Sequence, residues 1–464
     1  MGTLSVADAG WLLIEGRERP MHVGGLMLFE PPEDAGPQFL QDLVSQVRDH
    51  TNIRPPFNQR LARPYGLAGS VYQWTEDEPE LDYHFRHLAL PEPGRIRELL
   101  VLVSNLHANL LDRHRPLWEV YLIEGIEDGR FALYSKVHHS VLDGVAAMKQ
   151  VLRSFSDDPD VRDTPPPWAI PRGENDADDG GVLTEDRDPL AQARRILKTV
   201  AQGVTSPVGL TKALLPQFAT SPFDPAEVTP FQAPDSMLNA RLTASRRFVA
   251  QRYEFDRLVE VKNALGVTIN DVMLAMCSGA LRRYLDSHGA LPKEPLVALV
   301  PVSFRDRTGG ESGNAITLAP ATLATHLDDP QDRVELIHES MNRVKARLAH
   351  LSPLELMEYG LLITLPLVVS QLTNLAGRIP PSYNLVVSNV PGPDKPLYWN
   401  GARMTGMYPL SLLPDGYAIN ITNASYNGWM NFGVTADRRA LPGIQRLIDH
   451  LEDALSELEE VSGL

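Results

Sequence analysis

The sequence predicts a mixed α/β protein with two lobes. Its 464 residues exceed the size of one ordinary hydrophobic core, so two domains are expected. Both halves alternate strand-like runs, in which apolar and polar residues alternate, with helix-like runs of period about 3.6. Between the halves, residues 156–188 are rich in Asp, Pro and Gly, which predicts a linker or mobile loop. We therefore place the first lobe at residues 1–160, a connecting segment at 161–218 and the second lobe at 219–464.

Apolar periodicity defines the elements of the first lobe. Strands carry apolar residues at every second position, and helices carry them at every third or fourth position. The predicted order is a helix at 5–16, a strand at 21–30, a helix that ends at His50, strands at 71–74 and 83–90, a helix at 95–111, strands at 118–123 and 131–137, and a helix from 141.

The second lobe shows the same mixture of elements, which suits a pseudo-duplicated fold with a cleft between the halves. The predicted order is a strand at 246–255, a helix to 265, a long helix at 269–288, strands at 296–303 and 316–327, two long helices within 330–375, strands at 383–389, 404–408, 417–425 and 430–434, and a final helix at 441–455.

Charge and cysteine content exclude several classes of protein. The net charge of −16 argues against a nucleic-acid partner, because phosphate binding needs clustered Lys and Arg. The single cysteine, Cys277, excludes an internal disulfide, fits a reducing compartment and has the apolar neighbours of a core residue. No secretory signal is evident, and no unbroken apolar stretch reaches the roughly 20 residues of a membrane span. We expect a cytoplasmic protein, and peripheral contact with the inner membrane face or with lipid inclusions stays open.

Residues 189–218 are locally basic in an acidic chain. They carry Arg194, Arg195, Lys198 and Lys212 among Leu, Ile and Val. Two interpretations are open: the solvated face of a helix, or an amphipathic hairpin that docks on a membrane.

The turn after the last predicted strand of the first lobe carries two histidines, His138 and His139. A strand-to-helix turn can hold an imidazole rigidly at the mouth of a cleft. Ser140 and Asp143 fit a capping box, in which Asp143 only accepts from backbone N–H groups. Gly144 would cost about 1 kcal/mol against Ala inside a helix, so we expect a close backbone or ligand approach to require it. No third His or Cys lies at ligand spacing, so no metal site is predicted.

Further motifs have both structural and functional interpretations. For Pro116, Leu117 and Trp118, core packing and lining of the substrate path are both open. Asp271 fits a capping box at a helix start, whereas the amide of the preceding Asn270 suits donation to developing negative charge.

Two more features concern turns and charge. The run SNVPGP at 388–393 predicts a tight turn, because proline fixes φ and glycine tolerates unusual angles. Arg305 is a natural ion-pair partner for Asp143 if it lies near the cleft.

Together, PLW at 116–118, HHSVLDG at 138–144, ND at 270–271 and SNVPGP at 388–393 resemble, in order and spacing, the motifs of the bacterial wax ester synthase/acyl-CoA:diacylglycerol acyltransferase family. The HHxxxDG pattern is shared with a superfamily that includes chloramphenicol acetyltransferase and peptide-synthetase condensation domains. The resemblance spans nearly the whole chain. It implies two chloramphenicol-acetyltransferase-like lobes with a tunnel between them and the histidine at its middle.

The resemblance also implies a role for each matching residue. His139 would be the general base, and His138 would shape the turn. Asp143 would orient the loop through Arg305, and Gly144 would leave room for the thioester. The implied activity is an acyl-CoA-dependent O-acyltransferase with no cofactor, whose substrates are acyl-CoA and a long-chain alcohol or diacylglycerol.

Substrate positioning and an alternative function complete the predictions. Asn270 would donate to the oxyanion or support the site. The candidates for lining the acyl channel, each of which also fits core packing, are Leu356, Gly360, Met404 and Met407. A second hypothesis is a non-catalytic or carrier-dependent condensation-like module that binds an acyl chain, which predicts a neighbouring carrier domain.

Overall fold

The computed structural model describes residues 2–4, 6–64, 72–171, 226–228, 233–304, 315–351 and 380–464, together with 355–356, 359–360, 363–364, 367, 370–371, 373 and 376–378. The basic segment at 189–218 and Arg305 lie outside the described residues. Most of the predicted connecting segment at 161–218 also lies outside them.

The first lobe follows the predicted order closely, with three additional short elements, β1, β3 and α3. Its elements are β1 (Gly2–Thr3), α1 (Val6–Ile14), β2 (His22–Glu30), α2 (Phe39–Asp49), β3 (Gln59–Leu61), β4 (Gln73–Glu76), α3 (Leu81–His84), β5 (Phe85–Ala89), α4 (Ile96–Ala108), β6 (Trp118–Glu124), β7 (Phe131–His138) and α5 (Gly144–Leu152).

Most helices and strands of the second half lie at the predicted places, but the final helix begins at Leu447 and not at 441, and the strand predicted at 316–327 ends at Thr322. The elements of this half are β8 (Arg246–Glu254), α6 (Phe255–Leu265), α7 (Ile269–Ser287), β9 (Val297–Phe304), β10 (Ala315–Thr322), α8 (Pro330–Leu348), β11 (Leu385–Val390), β12 (Tyr398–Trp399), β13 (Ala402–Leu410), β14 (Ile419–Tyr426), β15 (Trp429–Asp437) and α9 (Leu447–Ser462).

Two six-stranded sheets form the centres of the lobes. Their strand orders are β12-β13-β2-β7-β6-β5 and β10-β9-β11-β14-β15-β8. The first sheet therefore includes β12 and β13, so the assignment of all of 219–464 to the second lobe is wrong for this strand pair. In β13, Met407 lies opposite Met27 of β2. Apolar periodicity identifies a strand but carries no information about a distant partner, which explains the error.

Strand β13 also contacts the second sheet, so it joins the lobes. A Cβ atom at Gly433 of β15 would lie 2.0 Å from the carbonyl oxygen of Pro409, so the strands approach this closely only because residue 433 is glycine. Similarly, a Cβ atom at Gly392 would lie 2.1 Å from the carbonyl oxygen of Ser425 and 2.9 Å from the methyl group of Met407. The predicted SNVPGP turn after β11 thus packs closely against β14 and against Met407 of β13.

Strand β7 carries the two histidines and is buried along nearly its whole length. Phe131 and Leu133 pack into one hydrophobic cluster, and Ala132 and Tyr134 pack into another on the opposite face. The polar Lys136 is also buried, and its Nζ lies 3.0 Å from Glu119 Oε2 and donates to two backbone carbonyls. Because both faces are covered, the end of β7 is a rigid support for the turn that follows it.

The segment after α5 differs from the prediction of a linker over 156–188. Trp168 is 1 % exposed, and its ring stacks on Trp118 at 5.3 Å. The side chain of Gln150 donates to the carbonyl of Pro167 at 2.8 Å, and Ser156 pairs with Tyr398. Residues up to 171 therefore belong to the first lobe. The composition of this segment, rich in Asp, Pro and Gly, gave no indication that one large aromatic side chain, Trp168, is buried and fixes the segment to the first lobe.

Helix α7 is the central helix of the second lobe. Cys277 is fully buried in it, as predicted, and burial raises the pKa of its thiol to about 12. Among the described residues, no single helix has the length and hydropathy of a membrane span. Helices α6 and α7 reach that length and hydropathy only when they are counted as one segment, and this segment is bent by 101°.

Candidate active site

Backbone hydrogen bonds fix the turn that carries the two histidines. The N–H of His138 donates to the carbonyl of Leu117 at the start of β6, at 2.9 Å. The N–H of His139 donates to the carbonyl of Met21 just before β2, also at 2.9 Å. The turn is therefore held between the starts of both neighbouring strands, and Leu117 contributes through its backbone.

His138 is fully buried and has a defined tautomer. The backbone N–H of Ser140 lies 3.1 Å from its Nδ1, and the Ser140 hydroxyl lies 2.6 Å from the same atom. A backbone N–H can only donate, so Nδ1 is the acceptor and the ring proton is on Nε2. That Nε2 faces Oε1 of Glu15 at 3.3 Å. His138 is thus held by hydrogen bonds at Nδ1, while its buried Nε2 lies beside a carboxylate without the geometry of a hydrogen bond.

His139 is half-buried, and its ring lies 4.4 Å from the ring of Trp11 at an angle of 40°. Burial lowers the pKa of His139 to about 4, assisted by His138, while Asp143 and a hydrogen bond to the histidine's own backbone carbonyl oppose this change. The ring is therefore neutral at pH 7 and able to accept a proton.

Helix α5 begins at Gly144, later than the predicted start at 141. Asp143 is its N-cap, and its carboxylate accepts from the backbone N–H of Ala146 at 2.8 Å. The predicted capping box from Ser140 does not form, because the Ser140 side chain turns to His138 instead. The predicted Asp143–Arg305 ion pair involves a residue outside the described range.

Gly144 is exposed at the first position of α5. A Cβ atom placed there would have no protein atom within 4 Å, so no backbone approach requires a glycine. The approach of a ligand stays a prediction, and the cost of glycine in a helix interior does not apply at this first position. Gly144 also lines a narrow apolar cavity, whose other walls include Trp118, Met148 and Val151.

The PLW residues are all buried, as core packing predicts. The indole N–H of Trp118 donates to the carbonyl of Phe57 at 2.8 Å, and its ring stacks on His84 at 4.4 Å. Because Trp118 and Gly144 share the same apolar cavity, the two predicted roles of Trp118 are compatible. Pro116 is buried directly before these residues.

Asn270 and Asp271 lie in the first turn of α7 and differ in environment. Asp271 is fully buried and forms the predicted capping box with Thr268, and its Oδ2 also lies 2.7 Å from His338 Nδ1. Asn270 is half-exposed. Among the contacts of the described residues, none joins Asn270 to His139.

The predicted channel residues fall into two hydrophobic clusters. Leu356 is buried in the core of the second lobe, and Gly360 lies beside it, with a Cβ position 3.3 Å from the Thr317 hydroxyl. Met404 and Met407 are fully buried in the cluster of the first sheet. The described contacts thus place these two pairs in separate cores.

Sequence analysis missed two side chains that contact the histidines directly, namely Trp11 and Glu15. Both come from α1 and its last turn, and Arg113 forms a bidentate pair with Glu15 at 2.8 and 2.9 Å. The sequence did contain a signal for this pair. Glu15 follows Trp11 by four positions at the end of an apolar helix, and residues at i and i+4 lie on the same helix face.

The same family matches both halves of the chain. The wax ester synthase/diacylglycerol acyltransferase catalytic domain matches residues 4–273, and the WS/DGAT C-terminal domain matches residues 312–459. The chain belongs to this family. The resemblance drawn from the four motifs is therefore confirmed, and with it the class of O-acyltransferases.

Relatives of the WS/DGAT family match over almost their entire length. The O-acyltransferase WSD of Acinetobacter baylyi is 43% identical over 99% of this chain and 98% of its own length. A protein of Mycobacterium tuberculosis named a probable diacylglycerol O-acyltransferase is 42% identical, with 98% of each chain covered.

Solved structures support the same fold. The wax ester synthase/diacylglycerol acyltransferase of Marinobacter aquaeolei VT8 superposes with a TM-score of 0.80 at 41% identity, and 100% of each chain is covered. The first condensation domain of the calcium-dependent antibiotic synthetase has a TM-score of 0.57 at 17% identity, covering 100% of this chain and 96% of its own. The predicted two-lobe mixed α/β fold is confirmed.

Proposed function

We propose that this WS/DGAT member transfers a fatty acyl group from acyl-CoA to the hydroxyl of a long-chain alcohol or of diacylglycerol, with His139 as the general base. The observation that carries the proposal is the neutral, half-buried imidazole of His139, whose backbone is fixed by Met21 and whose ring packs against Trp11. The relatives named O-acyltransferase and diacylglycerol O-acyltransferase support the substrate class.

The proposed reaction needs one base and no acyl-enzyme. Nε2 of His139 takes the proton of the substrate hydroxyl while its oxygen attacks the thioester carbonyl carbon. A tetrahedral oxyanion forms, and its collapse breaks the carbon–sulfur bond. The departing sulfur then accepts the proton from His139, so that CoA leaves as a thiol and the base is regenerated.

Known magnitudes indicate how the rate enhancement is divided. General base catalysis supplies about 10²–10⁴. One preorganised oxyanion donor supplies about 10²–10³, a role for which Asn270 is proposed because it lies at the positive end of α7. Holding both substrates in a tunnel between the lobes supplies up to roughly 7–11 kcal/mol. At that upper limit, binding geometry would contribute more than the base.

A substrate matrix tests the proposal. Purified protein is mixed with acyl-CoAs of several lengths and either linear alcohols or diacylglycerol, and free CoA is measured. We expect release that depends on the acceptor, with ester as the second product. Binding of acyl-CoA without release, by folded protein, would instead support the alternative of a non-catalytic or carrier-dependent acyl-binding module.

The lowered pKa of His139 predicts the pH dependence of activity. A base must be unprotonated, so kcat/KM falls as the pH drops through the pKa of His139 in the free enzyme. Because burial lowers that pKa to about 4, we expect kcat/KM to stay level from pH 8 down to pH 6. An ordinary histidine has a pKa of about 6.5 and would be more than half protonated at pH 6. Initial rates from pH 5 to 8 test this, with unfolding monitored in the same buffers. A half-maximal rate near pH 6.5 in folded protein would contradict it.

We also propose peripheral contact with a lipid surface through α1. Leu13 of this helix is 61% exposed, and Leu110 after α4 is 41% exposed, while their chain neighbours Leu12 and Leu111 belong to one hydrophobic cluster. Burying one leucine contributes about 1.5–3 kcal/mol, so Leu13→Asp should lower partitioning onto phosphatidylcholine vesicles by at least about tenfold. Sedimentation measures the bound fraction, and Val161→Asp, at a 37% exposed position, serves as the matched control. Equal binding of all three proteins would exclude this surface.

A further inference from the structure

The last turn of α1 presents two side chains to the two histidines. The N–H of Glu15 donates to the carbonyl of Trp11 at 3.1 Å, so these residues are one helical turn apart and lie on the same face. Trp11 contacts His139 and Glu15 contacts His138. One helix face therefore meets consecutive residues of the turn.

Glu15 connects four segments of the chain. Its carboxylate side chain is 3 % exposed. Oε2 accepts N–H groups from Nε and Nη2 of Arg113, and Oε1 accepts the backbone N–H of Met21 at 3.3 Å. Oε1 also lies 3.3 Å from Nε2 of His138, a contact of charge and dipole without the geometry of a hydrogen bond. Both carboxylate oxygens accept hydrogen bonds, so the position of the side chain is strongly restrained.

The same contacts reach His139 by two routes. Met21 donates its N–H to Glu15 and accepts the N–H of His139 with its carbonyl. His138, whose Nε2 contacts the Glu15 carboxylate at 3.3 Å, is the residue directly before His139 on the chain. A shift of Glu15 is thus transmitted to the backbone on both sides of the histidine turn.

Electrostatics favours an ionised Glu15. Burial raises the pKa of its carboxyl, but His138 and Arg113 lower it by more, and the result lies below the ordinary value. An ionised carboxylate attracts the polarised N–H of His138, whose Nε2 lies 3.3 Å away. Trp11 packs on the ring of His139 and restricts its rotation.

We infer that α1 is a positioning element for the reaction, in which Glu15 holds the turn and Trp11 orients the His139 ring with Nε2 toward the substrate. This inference rests on the proposed role of His139 as the base. Neither residue is a catalytic residue, because both act through the histidines.

Glu15→Ala and Glu15→Gln test the inference. Misplacement of a base by about 1 Å costs about 100-fold, so Glu15→Ala should lower kcat by about 10- to 100-fold with an unchanged KM for acyl-CoA. Glu15→Gln should lie between Glu15→Ala and wild type, because its amide oxygen can still accept from Met21 and contact His138. Trp11→Ala should also lower kcat, and Trp11→Phe, which keeps an aromatic ring, should restore most of it.

A matched control separates positioning from stability. Glu227 is also a buried carboxylate paired with an arginine, Arg347, at 2.9 Å, but it packs beside α8 in the second lobe. Glu227→Gln should lose thermal stability without a change in kcat. Equal loss of kcat in Glu227→Gln and Glu15→Gln at matched stability would overturn the inference, as would wild-type kcat in folded Glu15→Ala.

A spectroscopic measurement gives a result independent of activity. In protein labelled with ¹⁵N-histidine, His138 should show a protonated Nε2 and an unprotonated Nδ1 in wild type, and Glu15→Gln or Glu15→Ala should broaden or shift these signals. Unchanged His138 signals in both variants would contradict a positioning role for Glu15. If His139→Ala retained wild-type turnover, the proposed base would fail, while the His138 signals would still report whether Glu15 holds the turn.

Discussion

Replacement of His139 with Ala is expected to lower kcat by at least about 100-fold, because the general base supplies about 10²–10⁴ of the rate enhancement. The folded protein should keep its affinity for acyl-CoA, since the imidazole acts on the hydroxyl proton and not on CoA. CoA release under saturating substrates measures kcat. The backbone N–H that bonds to Met21 is retained in alanine, so the turn should keep its course.

An exposed histidine provides the control for this experiment. His350 follows α8 at the surface, and His350→Ala should have wild-type kcat. Turnover of His139→Ala within a few-fold of wild type would remove His139 from the role of base. A matching loss in His350→Ala would indicate a general effect of histidine removal.

Gly144→Val is expected to abolish most activity while leaving stability nearly unchanged. The added side chain meets no protein atom within 4 Å of its Cβ, so the fold tolerates it. If this space is where the thioester lies, the valine displaces the reacting carbonyl, and a displacement of about 1 Å costs about 100-fold in kcat/KM. The melting temperature and kcat/KM for acyl-CoA are measured on the same preparation.

Gly36→Val is the matched control for Gly144→Val. Gly36 is also exposed, and its Cβ position also has no protein atom within 4 Å. It should match wild type in both measurements. Full activity of Gly144→Val would mean that no ligand needs this space. A large drop in its melting temperature would mean that the valine destabilises the turn before α5.

Local patterns predicted most elements and the residues of the main motif. Alternating apolar residues identified β7, and the HHxxxDG pattern identified His138, His139, Asp143 and Gly144, because these signals are contained in consecutive residues. The start of α5 was misplaced because Ser140 had two possible partners, and its hydroxyl bonds to His138 rather than to the helix.

Long-range pairings were not predictable in the same way. Glu15 and His138 are far apart in sequence, and nothing in either segment specifies that a carboxylate and an imidazole meet. The burial of Trp168 was not predicted, because composition averages over a whole segment, whereas one buried indole is enough to fix that segment to the first lobe. The family motifs supplied the roles of residues that physical patterns left ambiguous, such as His139.

The position of β13 has a practical consequence for protein engineering. A chimera of two relatives, cut once in the segment between α5 and β8, would place residues 398–410 of one parent beside residues 22–30 of the other. Mismatched side chains would then meet in the middle of the first sheet. Exchange of substrate preference between family members should therefore move residues 398–410 together with the N-terminal piece, as a two-crossover graft.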